Sequence, residues 1–461
     1  MSLVGAFIVP HPPLIIPEVG KGEENKVIAT VNSYREAARR IAALKPDTIV
    51  ITSPHSILYS DYFHISPGKS ARGNFGNFGA GKVSIQVQYD EAFVNALESC
   101  AEREGVEAGT LGEKNPALDH GTMVPLYYIN EVCQEYKLVR AGLSGLSIST
   151  HYHLGKCITE TAEKLNRRIV LVASGDLSHK LKEDGPYGFA KEGPQFDEQV
   201  TKAMKEGDFL SLLELNPDFC EAAAECGLRS FIILAGALSG RSVETDFLSY
   251  EGPFGVGYAV CEFKPGEAVT DRNFDDIFSR KQKALAREHQ KLEDPHVRLA
   301  RLSLETYVTT GEYVKLPDVL PQEMTERRAG VFVSLKKHGS LRGCIGTISP
   351  VTDNIAEEIL RNAVSAGEED PRFPPVSASE LDELVYSVDV LGDTESVKSM
   401  EELDVKRYGV IVSAGRKRGL LLPNLEGVDT VEQQVSIARK KAGIYDNEKI
   451  SLERFEVVRY K

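Results

Sequence analysis

Three short runs of apolar residues each lead into a histidine. They are Phe7-Ile8-Val9 before Pro10-His11, Ile49-Val50-Ile51 before Thr52-Ser53-Pro54-His55, and Ile169 to Ala173 before Ser174-Gly175-Asp176-Leu177-Ser178-His179. Runs without polar alternation suit strands covered on both faces, as in a parallel sheet sheathed by helices. The stretches between them have helical periodicity. Residues 24–44 place Val27, Val31, Ala37, Ala38 and Ile41 on one face, and residues 150–166 read as another helix. This alternation runs to about residue 265 and predicts an α/β domain with a largely parallel central sheet.

In open α/β sheets, ligands bind outside the carboxyl ends of the strands. If the three runs are parallel strands, His11, His55 and His179 meet at one rim, and Pro10 and Pro54 stop their strands and stiffen the turns. His120, in "ALDHGTMVPL", follows Asp119 at an expected helix start, where the dipole favours neutral imidazole. Neutral imidazole is the commonest protein metal ligand. Two histidines with a carboxylate suit Fe(II), and three with water suit Zn(II). The carboxylate candidates are Glu225 in "EAAAECGLRSF", Glu251 and Asp176; Glu225 could equally pair with Arg229 one helical turn on. "HYH" at 151–153 opens a helix where i,i+2 residues do not share a face, so both histidines are expected at the surface.

The 461 residues predict more than one domain. A net charge of −14 argues against nucleic acid and anionic membrane surfaces as partners. No apolar run is long enough to span a bilayer, and the start of the chain lacks a signal-peptide pattern. Seven scattered cysteines without a CxxC predict free thiols in the reducing cytoplasm and no iron–sulfur cluster.

The N-terminal motifs "VPHPPL", "SPHS", "DHGTMVPL", "GDLSH" and "ECGLRSF" resemble those of class III extradiol ring-cleavage dioxygenases (LigB-like) and their relatives, the Memo proteins. The resemblance implies that His11 and His55 are metal ligands. It implies a glutamate as third ligand in the dioxygenases and a cysteine in Memo, which here sets Glu225 against its neighbour Cys226. Glu225 is preferred for an iron site. Fe(II) is the expected metal, with Zn or Cu as alternatives because thiolate favours softer ions. His179 would be the acid/base, and His120, with Asp119 beside it, would hydrogen-bond substrate or oxygen. Ser53, Ser56, Ser174 and Ser178 would offer hydroxyls around the metal. The implied reaction is opening of a small aromatic, diol-like substrate by O2. The alternative is a non-catalytic Memo-like metal or scaffold protein.

Residues 266–289 read as a polar linker that turns helical, and residues 290–461 as an α+β domain. "GVFVSLKKHGSLRGCIGTI", "DPRFPPV" and "GLLLPNLEGV" resemble the AMMECR-type domain, which implies a radical-SAM partner protein in a three-part system. Cys344, between Gly343 and Gly346 and after Arg342, is a candidate nucleophile for a transferase or hydrolase; the simpler reading is an inert packed thiol. Arg342, Arg372, Lys336, Lys337, Arg416, Lys417 and Arg418 are candidates for an anion-binding patch or merely a solvated face. "RFPPV" reads as a rigid turn.

Overall fold

A computed structural model describes residues 2–112, 117–425, 428–445 and 447–461. The last part of the "GLLLPNLEGV" motif, Glu426-Gly427, lies outside them. The chain forms two compact units, Met1–Phe278 and Ser279–Lys461.

The first unit is built on a six-stranded sheet in the order Lys137–Gly142, Thr48–Ser53, Ile169–Ser174, Leu3–Val9, Tyr258–Ala268, Arg241–Glu251. The first four strands are parallel, and the last two form an antiparallel edge. Alternate residues feed two cores. Ile8, Val50 and Leu171 face one side, and Phe7, Ile49, Ile51 and Val172 face the other. Burial on both faces explains the unbroken apolar runs. Ile169–Ser174 lies between Leu3–Val9 and Thr48–Ser53, with Val9 opposite Ser174 and Thr52 opposite Ala173. All three strands therefore end level at one edge.

Several predicted elements shift. The helix expected at 24–44 starts as a 3-10 turn, Glu23–Val27, and becomes α-helical over Ile28–Leu44. The chain between residues 217 and 237 is not one continuous helix. A short helix ends at Ala223, Ala224 takes a left-handed φ of 52°, and the buried helix is Leu228–Ala237. Ser70–Phe75 and Ala80–Gln88 form an antiparallel hairpin.

The buried helix Leu228–Ala237 crosses Ile148–Lys164 at two glycines. A Cβ on Gly155 would meet the carbonyl oxygen of Ile233, and one on Gly236 would meet that of Tyr152. Backbone on both sides leaves nothing to yield. Gly155→Ala is expected to lower stability by about 2–3 kcal/mol, read as a drop in the urea midpoint of the first unit.

His151, expected at the surface, is fully buried. It shares its stripe with Leu154, Gly155 and Ile158, packs edge-on against Phe63 and places Nδ1 2.9 Å from the Ser147 carbonyl. His153 has the expected exposure, at 46%.

In the second unit, one antiparallel sheet has the order Ser340–Gly346, Val331–Lys337, Leu384–Leu391, Val457–Tyr460, and packs with the helices Pro295–Thr310 and Ile355–Glu368. Another has the order Glu395–Val397, Ser451–Phe455, Gly409–Ala414, Lys417–Leu421, with the helix Val431–Lys441. The segment 266–289 holds the end of a strand at Ala268 and most of a helix, Phe274–Leu292. Among the described residues no helix is long and apolar enough to cross a membrane.

Candidate metal centre

His11 follows the strand Leu3–Val9 and is 2% exposed. Its backbone N–H donates to Asp176 Oδ1 at 2.8 Å, and Tyr34 donates its hydroxyl to the Pro10 carbonyl. The loop is thus tied to the neighbouring strand end and to a helix. Nδ1 of His11 lies 3.0 Å from Ser174 Oγ, which donates its own proton to the Gly121 carbonyl at 2.6 Å. Ser174 is left as an acceptor, so His11 Nδ1 carries the hydrogen and Nε2 presents a lone pair.

That lone pair faces His55 Nε2 at 2.9 Å, with Cys226 Sγ 3.7 Å from His11 Nε2. The three donors form one compact group. Burial and neighbouring His55 push His11 down to about 3, so it stays neutral as a ligand requires. Burial, with Asp176 and Glu225 nearby, holds the Cys226 thiol well above its ordinary value. A positive ion would reverse that preference. The donor set fits a metal ion: a fixed imidazole tautomer, a second imidazole and a sulfur converge, and tetrahedral bonds of about 2.0–2.3 Å bring ligand atoms to roughly this spacing.

The preference for Glu225 is corrected. Its carboxylate turns back and accepts the Leu228 N–H at 2.6 Å, capping the helix Leu228–Ala237. The left-handed turn at Ala224 and the one-residue offset point Cys226 to the strand edge instead. Glu251 is also elsewhere, accepting from the Thr30 N–H and hydroxyl. Asp176 does reach the centre. It is 5% exposed, its Oδ2 lies 3.9 Å from His11 Nε2, and burial pushes it up to about 6 against the His11 N–H.

His120 and His179 flank the group. The His120 ring lies 4.0 Å from that of His55 and 5.5 Å from that of His11, and burial followed by these two rings lowers it to about 3. Asp119 is the N-cap of the helix His120–Asn130. It accepts from the Thr122 N–H and hydroxyl and from Ser53 Oγ, which also takes the His55 N–H. It thus positions both histidines through the backbone. Asp119→Ala is expected to cost about 1–2 kcal/mol, seen as a lower thermal midpoint, and to weaken metal uptake indirectly. The His179 ring packs edge-on with Tyr187 at 5.1 Å, and its Nδ1 is buried with no hydrogen-bond partner among the described residues. Phe78 packs against His120 at 5.3 Å.

Sequence reading missed Arg140, buried in the strand Lys137–Gly142. It donates to Ser66 Oγ and the Ala117 carbonyl and lies 3.6 Å from Asp119. An arginine inside an apolar strand was the available signal. Of the four serines, Ser53 and Ser174 act as described, Ser178 donates to the Ala223 carbonyl, and Ser56 Oγ is buried without a partner among the described residues.

In the second unit, Cys344 is half-buried on an edge strand. Its sulfur accepts from Ser334 Oγ at 3.2 Å, and its N–H donates to Asp370. Arg372 chelates Asp370 and reaches the Cys344 carbonyl. Arg342 pairs with Glu380 and binds the Pro374 and Pro375 carbonyls. These arginines staple the "DPRFPPV" turn to the strand. Lys337, Lys417 and Arg418 are also paired with carboxylates, which argues against a free cationic patch. Among the described residues no imidazole or carboxylate hydrogen-bonds the Cys344 sulfur, so the nucleophile reading lacks its base.

Fold and site together define an α/β protein with a histidine–thiol group at the carboxyl edge of a parallel sheet, followed by an α+β domain. The chain belongs to the family of the catalytic LigB subunit of aromatic ring-opening dioxygenase, whose model matches residues 5–261, and carries an AMMECR1 domain over residues 297–461. Protein CA_C1420 of Clostridium acetobutylicum is 45% identical over 469 residues, covering all of both chains. A protein of Thermotoga maritima is 52% identical over 171 residues, covering 37% of this chain and 98% of its own. The crystal structure of uncharacterized protein PH0010 from Pyrococcus horikoshii is 33% identical, covers 36% of this chain and 88% of its own, and aligns with a TM-score of 0.34.

Proposed function

We propose that the N-terminal unit is a metal-holding protein of the Memo kind, with His11, His55 and Cys226 as ligands and a small aromatic or diol-like molecule as the guest beside them. The observation that carries this reading is the exchange at the third position: Cys226 joins the two imidazoles while Glu225 caps a helix. Two imidazoles and a thiolate suit Cu(I) or Zn(II) better than Fe(II). When bound, the ion would polarise an oxygen of the guest. His120, neutral at physiological pH, would hold a guest hydroxyl by one hydrogen bond, and His179 would accept or return its proton through the unpartnered Nδ1. Phe78 and Tyr187 offer apolar ring surface beside these two histidines. The AMMECR1 domain and a radical-SAM partner would complete the working system.

A second reading, an Fe(II) ring-opening dioxygenase using O2, is favoured by Asp176, whose carboxylate could take the place expected of Glu225. The two readings separate on anaerobically purified, metal-analysed protein challenged with catechol and O2. The first expects retained copper or zinc and catechol binding without oxygen uptake. The second expects iron and catechol-dependent oxygen uptake that His179→Ala abolishes. Metal retention unaffected by His11→Ala would refute both.

A further inference from the structure

We propose that the centre has a second metal position, made by Asp176, His179 and Cys226, in which the Cys226 sulfur is shared with the ion held by His11 and His55. The proposal rests on Cys226 being a ligand of the first ion. One carboxylate oxygen of Asp176, one ring nitrogen of His179 and Cys226 Sγ lie within 4.8 Å of one another, as do the donors of the first group, and Cys226 is the member common to both. A thiolate has lone pairs enough to bridge two cations. Its N–H···S bond from the Asp176 backbone, at 3.3 Å, fixes the sulfur next to that carboxylate.

Two further observations favour a ligand here. The His179 ring brings one nitrogen to this group, and its buried Nδ1 has no hydrogen-bond partner among the described residues, where a buried polar atom is normally satisfied. Asp176 is buried, with one oxygen engaged by the His11 N–H and the other 3.9 Å from His11 Nε2, and among the described residues no arginine or lysine pairs with it. With His11 neutral, a buried carboxylate that lacks an arginine or lysine partner is suited to a bound cation. One nitrogen, one oxygen and one sulfur with a fourth place for water suit Zn(II). Binding requires the thiol proton to leave once, to solvent, and both ions then share the resulting charge. Occupation would also engage His179, removing it as an acid/base. The second ion would therefore act as a brake on any proton transfer at the first.

The test is a Zn(II) titration of metal-free, full-length protein, with stoichiometry read by equilibrium dialysis against a competing chelator. Wild type should bind two equivalents, His179→Ala one, His55→Ala one and Cys226→Ala none. One equivalent in wild type, unchanged in His179→Ala, would overturn the second position while leaving the first intact. No binding at all would overturn both. Co(II) gives a check that needs no variant: thiolate-to-cobalt absorbance should grow through two equivalents in wild type. Saturation at one equivalent would contradict the bridge.

Discussion

Cys226→Ala is expected to abolish metal retention, whereas Glu225→Ala should leave it intact. The two residues are adjacent in sequence but do different work. Cys226 Sγ lies 3.7 Å from His11 Nε2, and the Glu225 carboxylate caps the helix Leu228–Ala237 through the Leu228 N–H. Loss of an outer partner at a metal site typically costs about 10–100-fold in affinity, so loss of a direct ligand should exceed ~100-fold. Glu225→Ala should instead lower stability by about 1 kcal/mol, the usual worth of a cap. Affinity should also depend on pH. The thiol is held protonated well above its ordinary range, so metal must displace a proton, and affinity should rise about tenfold per pH unit through neutrality. Competition titrations with a chromophoric chelator at several pH values would measure both effects. A flat pH dependence would mean that the thiol is not a ligand.

Acidification should destabilise the metal-free first unit, and His151 should supply a share of the loss comparable with those of His11 and His120, which burial lowers as far. Burial lowers the His151 imidazole to about 3, while an unfolded chain takes up the proton near 6.5. Its stabilising contribution is complete above about pH 6.5 and is lost progressively as pH falls toward 3. At pH 4.5 the loss from this one group is about 2–3 kcal/mol. Asparagine can imitate the Nδ1–H that faces the Ser147 carbonyl but cannot titrate. His151→Asn should therefore flatten the fall in urea midpoint between pH 7 and pH 4.5, followed by circular dichroism. An equal fall in both proteins would mean that His151 contributes nothing and that His11 and His120 carry the histidine share. Asp176 works in the opposite direction, since burial raises it toward 6, and its protonation on folding favours the acid side.

The parallel sheet was readable because burial on both faces removes polar alternation, and the edge was readable because each strand stops at a proline or serine turn carrying a histidine. His11, His55, His120 and His179 do gather there. What could not be read was the choice between Glu225 and Cys226. It depends on a left-handed residue, Ala224, in a turn that composition alone marks as helix. Asp119, read from its motif, caps the helix His120–Asn130 and also takes the Ser53 hydroxyl and faces Arg140, two contacts that only the tertiary fold supplies. His151 was misplaced because the argument against a shared face for i,i+2 histidines says nothing about which of them joins the apolar stripe. In the second unit, Arg342 pairs with Glu380, a tertiary contact that local sequence does not encode, whereas the Asp370 partner of Arg372 stands two residues away in the same motif and was open to reading.

Two imidazoles and the Cys226 sulfur should hold the first metal ion. X-ray absorption of full-length protein loaded anaerobically with one equivalent of Zn(II) would read that ligand set. The expected spectrum has one sulfur scatterer near ~2.3 Å, two imidazoles near ~2.0–2.1 Å, and no sulfur in Cys226→Ala. A first shell of nitrogen and oxygen alone in the wild-type protein would contradict it.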